Sequence, residues 1–362
     1  IMLTNYCIYD CAYCINRRSN DLPRATLSVS ELVELTIEFY RRNYIEGLFL
    51  SSGVVRSPDY TMERLVRVAK DLRQVHRFNG YIHLKSIPGA SRELVNEAGL
   101  YADRLSVNVE IPKEENLKLL APEKDHKSVF APMKYIQQGV LESKEERQKF
   151  RHAPRFAPAG QSTQMIVGAT SESDKDILYL SSALYGRPTM KRVYYSGYVS
   201  VNTYDTRLPA LKQPPLVREN RLYQADWLLR FYQFKVDEIV DDAYPDLDLE
   251  IDPKLSWALR HPEQFPVDIN KADYEMLLRV PGIGVKSAKL IVASRRFSRL
   301  GFYELKKIGV VMKKAQYFIT CRELPLQMQT VNELSPQRVR SLLLPKPKKK
   351  VDDRQLILDF GE

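Results

Sequence analysis

Short apolar runs alternate with longer segments in which an apolar residue recurs every three or four positions, from the start of the chain to about residue 198. The short runs predict β-strands and the longer segments predict amphipathic helices. Their alternation is typical of βα units that build a parallel sheet. The predicted strands cover residues 1–4, 47–51, 81–85, 104–109, 164–167 and 192–195.

The helices predicted between these strands cover residues 30–42, 62–77, 92–99, 132–150 and 174–185. The first helix begins with a capping box, since Ser28 is followed three residues later by Glu31. Six strands in this order predict an α/β fold, a partial (β/α)6 TIM-like barrel. In such barrels the chemistry lies at the carboxyl ends of the strands, so we expect functional residues just after each strand.

Two segments depart from this alternation. Residues 121–161 form a charged insertion that is too long for an ordinary βα connection, and we expect it to be irregular. It either covers the substrate or is a surface elaboration without contact to the reaction. Residues 218–240 then predict one helix, whose aromatic residues recur at helical spacing and are expected to pack in a core.

The chain as a whole predicts three parts. Residues 1–240 form the barrel, residues 253–324 form an all-α domain, and residues 325–362 form a basic linker and C-terminal tail. A length of 362 residues fits two folded domains. Because the numbering starts at Ile1, just ahead of a cysteine-rich loop, we expect that an N-terminal segment is missing from it.

Composition limits the setting in which the protein works. The formal charge of +10 favours a polyanionic partner, but it does not distinguish nucleic acid from a membrane surface or an acidic protein. The sequence has no apolar run long enough to span a membrane and no signal-like amino terminus, and its four cysteines fit a reducing compartment. These features predict a cytoplasmic protein without a membrane partner.

Three of the four cysteines, Cys7, Cys11 and Cys14, have C-x3-C-x2-C spacing. Thiolate is the ligand that suits zinc and iron–sulfur sites. A structural zinc ion takes four protein ligands, and His83 and Cys321 are both distant in sequence. The spacing therefore favours a 4Fe–4S cluster with one open iron, while zinc and reduced structural thiols remain alternatives.

This spacing, with Tyr13 just before the third cysteine, resembles the signature of the radical S-adenosylmethionine (SAM) superfamily. The resemblance implies two cofactors, a 4Fe–4S cluster and S-adenosylmethionine. It also implies that an electron from an external donor cleaves S-adenosylmethionine to methionine and a 5'-deoxyadenosyl radical.

The same resemblance implies that residues at successive strand ends hold S-adenosylmethionine. Where most relatives have Gly-Gly-Glu, this chain has Ser-Ser-Gly, so carbonyls or serine hydroxyls are expected to meet the methionine amino group. Lys85 is expected to pair with the methionine carboxylate, or else to be a solvated charge. The predicted cofactor-binding residues are Tyr13, Ser51, Ser52, Gly53, Lys85, Asn108, Glu110, Ile166 and Gly168.

Two of these positions also follow from the strand pattern. Ser106, Asn108 and Glu110 alternate with apolar residues, so they are expected to share one face of the fourth predicted strand. Buried polar residues need partners, and these are expected to contact the ribose or amine, or to form a network within the protein. Ile166 and Gly168 match a worn version of the family's adenine motif.

The catalytic residues are not assigned by the sequence. Tyr194, Tyr195 and Tyr198 are candidates to relay a radical or stack a base, with simple packing as the alternative. Arg17 and Arg18 follow the cysteine loop and are candidates for phosphate contact near the chemistry, or else a solvated pair.

A second motif lies near the carboxyl end, where Pro281-Gly282-Ile283-Gly284 is flanked by apolar helical patterns. It resembles a helix-hairpin-helix, with a degenerate second copy around Gly309, or else it is a helical packing module. Glycines allow a tight turn whose amides suit a phosphate, and nearby cations add sequence-independent attraction. The predicted DNA-binding residues are Gly282, Ile283, Gly284, Lys286, Ser287, Lys289, Gly309 and Lys313.

Nearly the whole chain resembles a bacterial family described as DNA modification or repair radical SAM proteins, through the segments around Cys7, Arg17 to Asp21 and Phe49 to Val55. This implies an enzyme that binds the DNA backbone and abstracts hydrogen from a nucleotide to modify or repair it. The alternatives are an RNA-modifying (transfer-RNA) radical enzyme, and a DNA-binding scaffold with a structural cluster.

Two predictions concern the end of the chain. Gln355 to Phe360 resembles the short peptides that dock in the bacterial sliding clamp, or else it packs on the protein. Cys321 is expected to be a buried apolar residue within a helix over residues 313–322.

Overall fold

The computed structural model describes residues 1–201, 204–322 and 335–344. These residues form two compact units: the sheet unit contains Ile1–Leu229 and Lys235–Leu247, and the hairpin unit contains Arg230–Phe234 and the described residues from Asp248 on. The tail motif Gln355 to Phe360 lies outside the described residues, so its docking in a sliding clamp stays a prediction.

The sheet unit is built on five parallel strands in the order β1-β2-β3-β4-β5. The predicted α/β class with a parallel sheet is confirmed, although the sheet has five strands and not six. The strands are β1 (Gly47–Leu50), β2 (Tyr81–Lys85), β3 (Arg104–Ser106), β4 (Gln161–Val167) and β5 (Met190–Gly197).

The first predicted strand, residues 1–4, does not join the sheet as a strand. Its residues bond past the carboxyl end of β1, where Leu3 N–H donates to the Ser51 carbonyl (2.9 Å) and Gly53 N–H donates to the Thr4 carbonyl (2.8 Å). Thr4 then forms an antiparallel bridge with Thr26. The ladder is therefore too short to be a sixth strand, but it ties the start of the cysteine loop to the end of β1.

Helices cover one face of this sheet. They are α1 (Val29–Arg41), α2 (Pro58–Gln74), α3 (Arg92–Tyr101), α5 (His126–Lys149) and α6 (Asp174–Tyr185). The short helix α4 (Glu114–Leu120) packs instead against the cysteine loop, where Ala12 N–H donates to the Leu120 carbonyl (2.7 Å). The capping box of α1 is present, since Ser28 Oγ accepts from Glu31 N–H and Ser28 N–H donates to Glu31 Oε2. Under these helices Leu50, Leu84 and Leu105 are completely buried.

The helix predicted over residues 132–150 is confirmed as α5, which begins earlier, at His126, so most of the segment 121–161 is helical and not irregular. Its buried Val129, Met133, Ile136 and Val140 recur at helical spacing and face the core, which makes it a packing element of the βα pattern. Pro132 lies inside the helix and has no N–H to bond the Ser128 carbonyl; that carbonyl accepts from Gly89 N–H instead (2.9 Å).

The helix predicted over residues 218–240 is split into α7 (Leu216–Phe231) and α8 (Val236–Ile239). Gln233 has φ +60°, which a continuing right-handed helix excludes. Within the sheet unit, Tyr223 of α7 covers the edge strand β5: its hydroxyl donates to the Tyr195 carbonyl (2.9 Å) and accepts from the Tyr195 N–H (3.0 Å).

The hairpin unit contains α9 (Pro253–Arg260), a single 3-10 turn (Pro262–Gln264), α10 (Tyr274–Arg279), α11 (Val285–Ser294), α12 (Phe302–Ile308), α13 (Met312–Ala315) and α14 (Pro336–Leu343). It is not purely helical as expected, because β6 (Val267–Asp268) and β7 (Ile319–Thr320) pair in parallel. Val267 and Ile319 are buried in this pairing.

Cys321 is consequently not helical. The helix expected over residues 313–322 ends at Ala315, because the chain extends to bury Phe318 and Ile319. Cys321 follows β7 and is half-buried, which corrects the expectation of a fully buried residue. No helix within the described ranges is long and apolar enough to cross a membrane.

Candidate functional site

The cysteine loop lies against the end of β1. Ile8 N–H donates to the Val54 carbonyl (2.8 Å), and Val54 N–H donates to Cys7 Sγ (3.3 Å). Gly53 permits this close approach, because a β-carbon at that position would lie 2.3 Å from the Tyr6 carbonyl oxygen. Backbone donors to sulfur are among the groups that set the properties of a thiolate-held cluster.

An internal ion-pair network locks the same loop. Arg17 donates to both carboxylate oxygens of Asp10 (2.9 Å each) and to Asp205 (2.7 Å), and its side chain is only 5% exposed. Arg207 also pairs with Asp205 (2.6 Å). The hydrogen bonds from Arg17 hold the pKa of Asp10 well below its ordinary range. The hydrogen bonds from Arg207 and Arg17 do the same to the pKa of Asp205.

This network changes the interpretation of the two arginines after the loop. The guanidinium of Arg17 is committed to carboxylates inside the protein, so the expectation that it contacts phosphate is wrong. Arg18 is exposed, and its backbone N–H donates to the Tyr9 carbonyl (2.9 Å).

The three cysteines of the loop line one cavity of about 440 Å³. Cys11 is buried and the other two are half-buried. Burial raises the pKa of the Cys11 thiol to about 11 and also raises the pKa of Cys14. Metal binding would have to displace these protons, because the thiolate is the ligand.

The three thiols are compatible with a cluster. Within the described residues, no group of three or more Cys, His, Asp or Glu side chains is placed to hold one metal ion. In a 4Fe–4S cluster each thiolate binds a different iron, so the thiols surround the cluster without converging on one point. Three thiols spread around one cavity satisfy that requirement.

Apolar packing shields one side of the cysteine loop. A buried cluster surrounds Cys11, with Tyr9, Tyr13 and Cys14 packed against it. Its buried members are Cys11, Ala12, Ile111, Leu117, Leu120, Ala121, Ala169, Tyr198 and Leu208. Such a shell limits the access of water to a bound cluster, and water access is one of the factors that set its potential.

The cavity brings together side chains from successive strand ends. All but one of the predicted cofactor-binding residues line it, namely Tyr13, Ser51, Ser52, Gly53, Lys85, Asn108, Glu110 and Ile166. Gly168 is not among the lining residues; it has φ +85°, and a β-carbon there would lie 3.0 Å from Pro215. It therefore serves the turn after β4.

The alternation predicted after Arg104 continues past the end of β3. The strand stops at Ser106, yet Asn108 and Glu110 line the cavity while Val107 and Val109 are fully buried. Asn108 Nδ2 lies 3.5 Å from Gln164 Oε1, a long contact that leaves its amide available to a ligand.

Glu110 occupies a strained position at the centre of these strand ends. Its φ is +64°, and it bridges to β4 by donating to the Gln164 carbonyl (3.0 Å) and accepting from Ile166 N–H (2.7 Å). A positive φ at a residue with a β-carbon is costly, and such positions cluster at ligand sites.

Lys124 is a site residue that the sequence reasoning missed. Its Nζ lies 3.9 Å from Glu110 Oε1 and 3.4 Å from the Tyr13 hydroxyl, and its side chain is 11% exposed. Burial disfavours its charge, but Tyr13, Cys11 and Glu110 outweigh this and hold the pKa of Lys124 above its ordinary value. Nothing in the local sequence marks this loop lysine, because only the fold brings it to the cavity.

The three candidate tyrosines have different surroundings. Tyr198 lines the cavity and is buried, and its hydroxyl has no hydrogen-bond partner among the described residues. Tyr195 faces the helices, where its hydroxyl bonds to Ser181 (2.9 Å) and Asp226 (3.3 Å), so it lies away from the cavity. Tyr194 is on the opposite face of β5 from Tyr195 and is 37% exposed.

In the hairpin unit, two helix pairs are joined by short turns at corresponding positions. Gly282 lies between α10 and α11, and Gly309 lies between α12 and α13; both have φ +91°. The turns pack on each other, since Val311 N–H donates to the Gly282 carbonyl (2.9 Å). A β-carbon on Gly282 would lie 2.6 Å from the Val311 carbonyl oxygen.

The residues predicted to bind DNA divide into exposed and buried groups. Lys286, Lys289 and Lys313 are exposed, and Gly309 is exposed in its turn. Ile283 is buried between the helices, as expected, and Ser287 is also buried, with its hydroxyl 3.4 Å from the Ile308 carbonyl. Ser287 therefore serves the packing of the two hairpins.

A buried lysine that the sequence reasoning missed supports the first turn. Lys254 Nζ donates to the Ile283 carbonyl (2.6 Å) and lies 4.7 Å from the ring centre of Tyr232. Burial lowers the pKa of Lys254 to about 7. Its position on the buried side of a short amphipathic helix was the only available signal.

One family model matches part of the chain. The model of the Radical SAM superfamily matches residues 1–140, which contain the cysteine loop and the first three strands. This part of the chain carries a radical SAM domain, and the cofactors of that superfamily are a 4Fe–4S cluster and S-adenosylmethionine. A search of curated proteins finds no match.

Several solved structures are similar at low identity. The FeFe-hydrogenase maturase HydG from Carboxydothermus hydrogenoformans is 13% identical, with 63% of this chain and 50% of that chain covered and a TM-score of 0.46. A second HydG structure is 12% identical over 96% of this chain and 78% of that chain (TM-score 0.48). The cobalamin-dependent S-adenosylmethionine radical enzyme OxsB is 11% identical over 94% and 52% (TM-score 0.35).

The chain spans half the length of the first of these structures. Structural similarities this weak give no information about the substrate of this protein.

Proposed function

We propose that this protein is a radical S-adenosylmethionine enzyme that holds DNA by its backbone and modifies or repairs a nucleotide. One observation carries the enzymatic part: three cysteine thiols share a cavity with polar side chains from successive strand ends. The nucleic-acid part depends on the paired glycine turns of the hairpin unit and on the exposed lysines beside them.

Within the cavity, Cys7, Cys11 and Cys14 would each hold one iron of the cluster. When bound, the cluster and S-adenosylmethionine would supply a 5'-deoxyadenosyl radical that abstracts a hydrogen atom from the substrate. The protein's own contribution is to orient these groups and to exclude water, for which the buried apolar cluster around Cys11 is suited.

The charged residues of the cavity suit the polar ends of S-adenosylmethionine. Lys85 and Lys124 offer cations to a carboxylate, and Ser51 and Ser52 offer oxygens to an amine. Glu110 would accept from the ribose or the amine, and it lines the same cavity as the three cysteines.

The first hairpin turn suits a phosphate. Gly284 is the N-cap of α11 and has no side chain to satisfy the amides of the first helical turn, so these remain open to an anion. Lys286 and Lys289 add positive charge on the exposed side of the same helix. Contacts of this kind hold the backbone without reading the sequence, and a target base would have to leave the stack to reach the cavity.

The enzymatic part is tested by anaerobic reconstitution with iron and sulfide, reduction with dithionite and addition of S-adenosylmethionine. We expect a 4Fe–4S spectrum and release of 5'-deoxyadenosine. A loaded protein that releases no 5'-deoxyadenosine would be a scaffold with a structural cluster, and zinc in place of iron would reject the proposal.

The nucleic-acid part is tested by the retention of duplex DNA and of structured RNA at matched salt. We expect duplex DNA to bind and its affinity to fall with salt, because phosphate contacts release counterions. Stronger retention of RNA would move the proposal to an RNA-modifying enzyme, since the same hairpins can grip an RNA backbone.

A further inference from the structure

The face of the sheet that the helices leave open has an unusual composition. Successive residues of a strand point to opposite faces, and the helix-covered positions, such as Leu84 and Met165, are fully buried. The other face carries Lys85, Gln164 and Ser196, which also line the cavity of the cysteine loop. We call it the inner face.

Strand register places cations and hydroxyls side by side on the inner face. His83 is in register with Arg104, and Lys85 with Ser106. Ser106 is in register with Ser162, and Ser162 with Arg192. One row therefore runs from Lys85 across the hydroxyls of Ser106 and Ser162 to Arg192. Arg104 lies on β3, two residues before Ser106.

Within the part of the chain that the structure describes, these cations have no carboxylate partner. Among the described residues, Lys85, Arg104 and Arg192 make no ion pair or side-chain hydrogen bond, and Arg104 Nε is buried without an acceptor. The guanidinium of Arg192 lies over the rings of Tyr194 (5.7 Å to the ring centre) and Tyr223 (5.4 Å). Cationic side chains without an internal acceptor are available to an anion from outside the chain.

The electrostatic state of His83 agrees with this description. Burial, followed by the positive charges of Arg104 and Lys85, lowers the pKa of His83 to about 4. His83 is therefore neutral near pH 7, and its Nε2 lies 3.5 Å from Ser162 Oγ. The inner face is thus positive and well supplied with hydroxyl groups, which are the groups that meet a phosphate.

Aromatic side chains are interleaved with these cations and remain exposed. On the inner face Phe49 is 51% exposed, Tyr81 is 43% exposed and Tyr194 is 37% exposed. Surfaces that bind single strands combine backbone-tracking cations with exposed aromatic rings on which bases stack. A duplex would hide its bases from such rings, so the composition favours an unpaired strand.

We propose that a single-stranded segment of nucleic acid lies along the inner face, with phosphates at Arg104 and Arg192 and bases against Phe49, Tyr81 and Tyr194. This inference rests on the proposed function and adds that the substrate nucleotide arrives in an unpaired strand. Gln164 and Ser196 belong both to the inner face and to the lining of the cavity, so a nucleic-acid strand on the inner face leads directly to the cavity.

The test measures anisotropy of a fluorescein-labelled single strand, oligo-dT, and of a labelled duplex of equal length with the full chain. One variant combines Arg104→Gln with Arg192→Gln, and a second combines Phe49→Leu with Tyr194→Leu. The matched control combines Arg42→Gln with Arg67→Gln, two exposed arginines outside the sheet. Circular dichroism confirms that each variant is folded.

We expect each inner-face variant to weaken single-strand binding about tenfold and to leave duplex binding unchanged. For single-strand binding, the slope of log K against log salt concentration should also become shallower by about 1.4 in the arginine variant, because two phosphate contacts at about 0.7 each are lost. The aromatic variant should keep the wild-type salt dependence, because ring stacking releases no counterions.

Two results would overturn the inference. One is single-strand binding equal in the inner-face variants and in the arginine control, and the other is an equal loss of duplex and single-strand binding. In both cases duplex binding by the wild-type protein would leave the proposed function intact. If the wild-type protein bound neither nucleic acid, the proposed function itself would fail.

Discussion

In the sheet unit, side chains from distant strand ends share one cavity, whereas in the hairpin unit the backbone of two short turns forms the characteristic surface. The cavity depends on which side chains are present, above all the three thiols. The turns depend on the absence of side chains at Gly282 and Gly309. A cavity lined by side chains and a pair of glycine turns therefore place different demands on the same chain.

Glycine makes the difference concrete. Gly53 and Gly282 would both bring a β-carbon within 2.6 Å of a carbonyl oxygen, at 2.3 Å and 2.6 Å respectively. Only Gly282 also has a left-handed backbone, with φ +91°. Gly53 is needed because a distant loop packs on it, while Gly282 is needed for its local conformation as well.

The largest expected effect is a loss of cluster loading in the sheet unit that leaves duplex binding by the hairpin unit unchanged. Changing Cys11→Ser should remove cluster loading and lower 5'-deoxyadenosine release by roughly 100-fold or more, since a lost ligand exceeds the cost of a second-shell change. Iron content and visible absorbance measure the loading. Duplex binding should be unaffected, and Cys321→Ser, outside the cavity, should behave like the wild type; cluster loss in that control would contradict the assignment.

The next effect concerns the lock of the cysteine loop. Arg17→Ala leaves the carboxylates of Asp10 and Asp205 without their shared partner inside the protein, and should cost about 3–5 kcal/mol of unfolding free energy. Urea unfolding followed by circular dichroism measures this, with exposed Arg18→Ala as the control. Equal stability of the two variants would show that the network is not a lock.

The same network predicts a pH dependence with a definite sign. The pKa values of Asp10 and Asp205 are lowered in the folded state, so their contribution is complete above the unfolded value of about 3.9. It is lost as pH falls through the folded-state values. The difference between wild type and Arg17→Ala should therefore shrink below about pH 4 in the same urea experiment.

A smaller effect tests the local demand in the hairpin unit. Gly282→Ala should destabilise the protein by roughly 1–3 kcal/mol, because alanine is strained at φ +91° and meets the Val311 carbonyl. Gly284→Ala is the matched control, since its φ is −96° and its nearest neighbour is the Tyr232 hydroxyl at 3.5 Å. Equal thermal stability of the Gly282→Ala and Gly284→Ala variants would show that the backbone conformation at Gly282 does not require glycine.

The smallest effect concerns charge beside the turn. Lys286→Gln combined with Lys289→Gln should weaken duplex binding by roughly 1–2 kcal/mol. The slope of log K against log salt concentration should become shallower by up to about 1.8, at about 0.9 for each lost phosphate contact. Lys144→Gln combined with Lys149→Gln on α5 is the control, because both lysines are exposed in the sheet unit. A salt dependence that stayed at the wild-type value would remove these lysines from the interface.

Local patterns predicted those features that depend on neighbouring residues. Strand and helix periods found the sheet, the capping box found the start of α1, and the cysteine spacing found the loop whose three thiols share a cavity. The period also failed where one local feature interrupted it: Gln233 with φ +60° divided the helix expected over residues 218–240. Within the charged insertion the period found most of α5, and only the start of that helix, at His126, was missed.

The sequence by itself determined the thiol loop, the parallel sheet and the glycine turns, since each depends on chemistry or backbone freedom within a few residues. Only the tertiary structure brought Lys124 to Glu110, committed Arg17 to Asp10 and Asp205, turned Tyr195 away from the cavity, and placed Lys254 under the Ile283 carbonyl. Except for Arg17 and Asp10, which are seven residues apart, these contacts join residues well separated in the chain, up to 188 positions for Arg17 and Asp205. Their formation depends on which strands become neighbours and which faces are buried, and no local pattern contains that information.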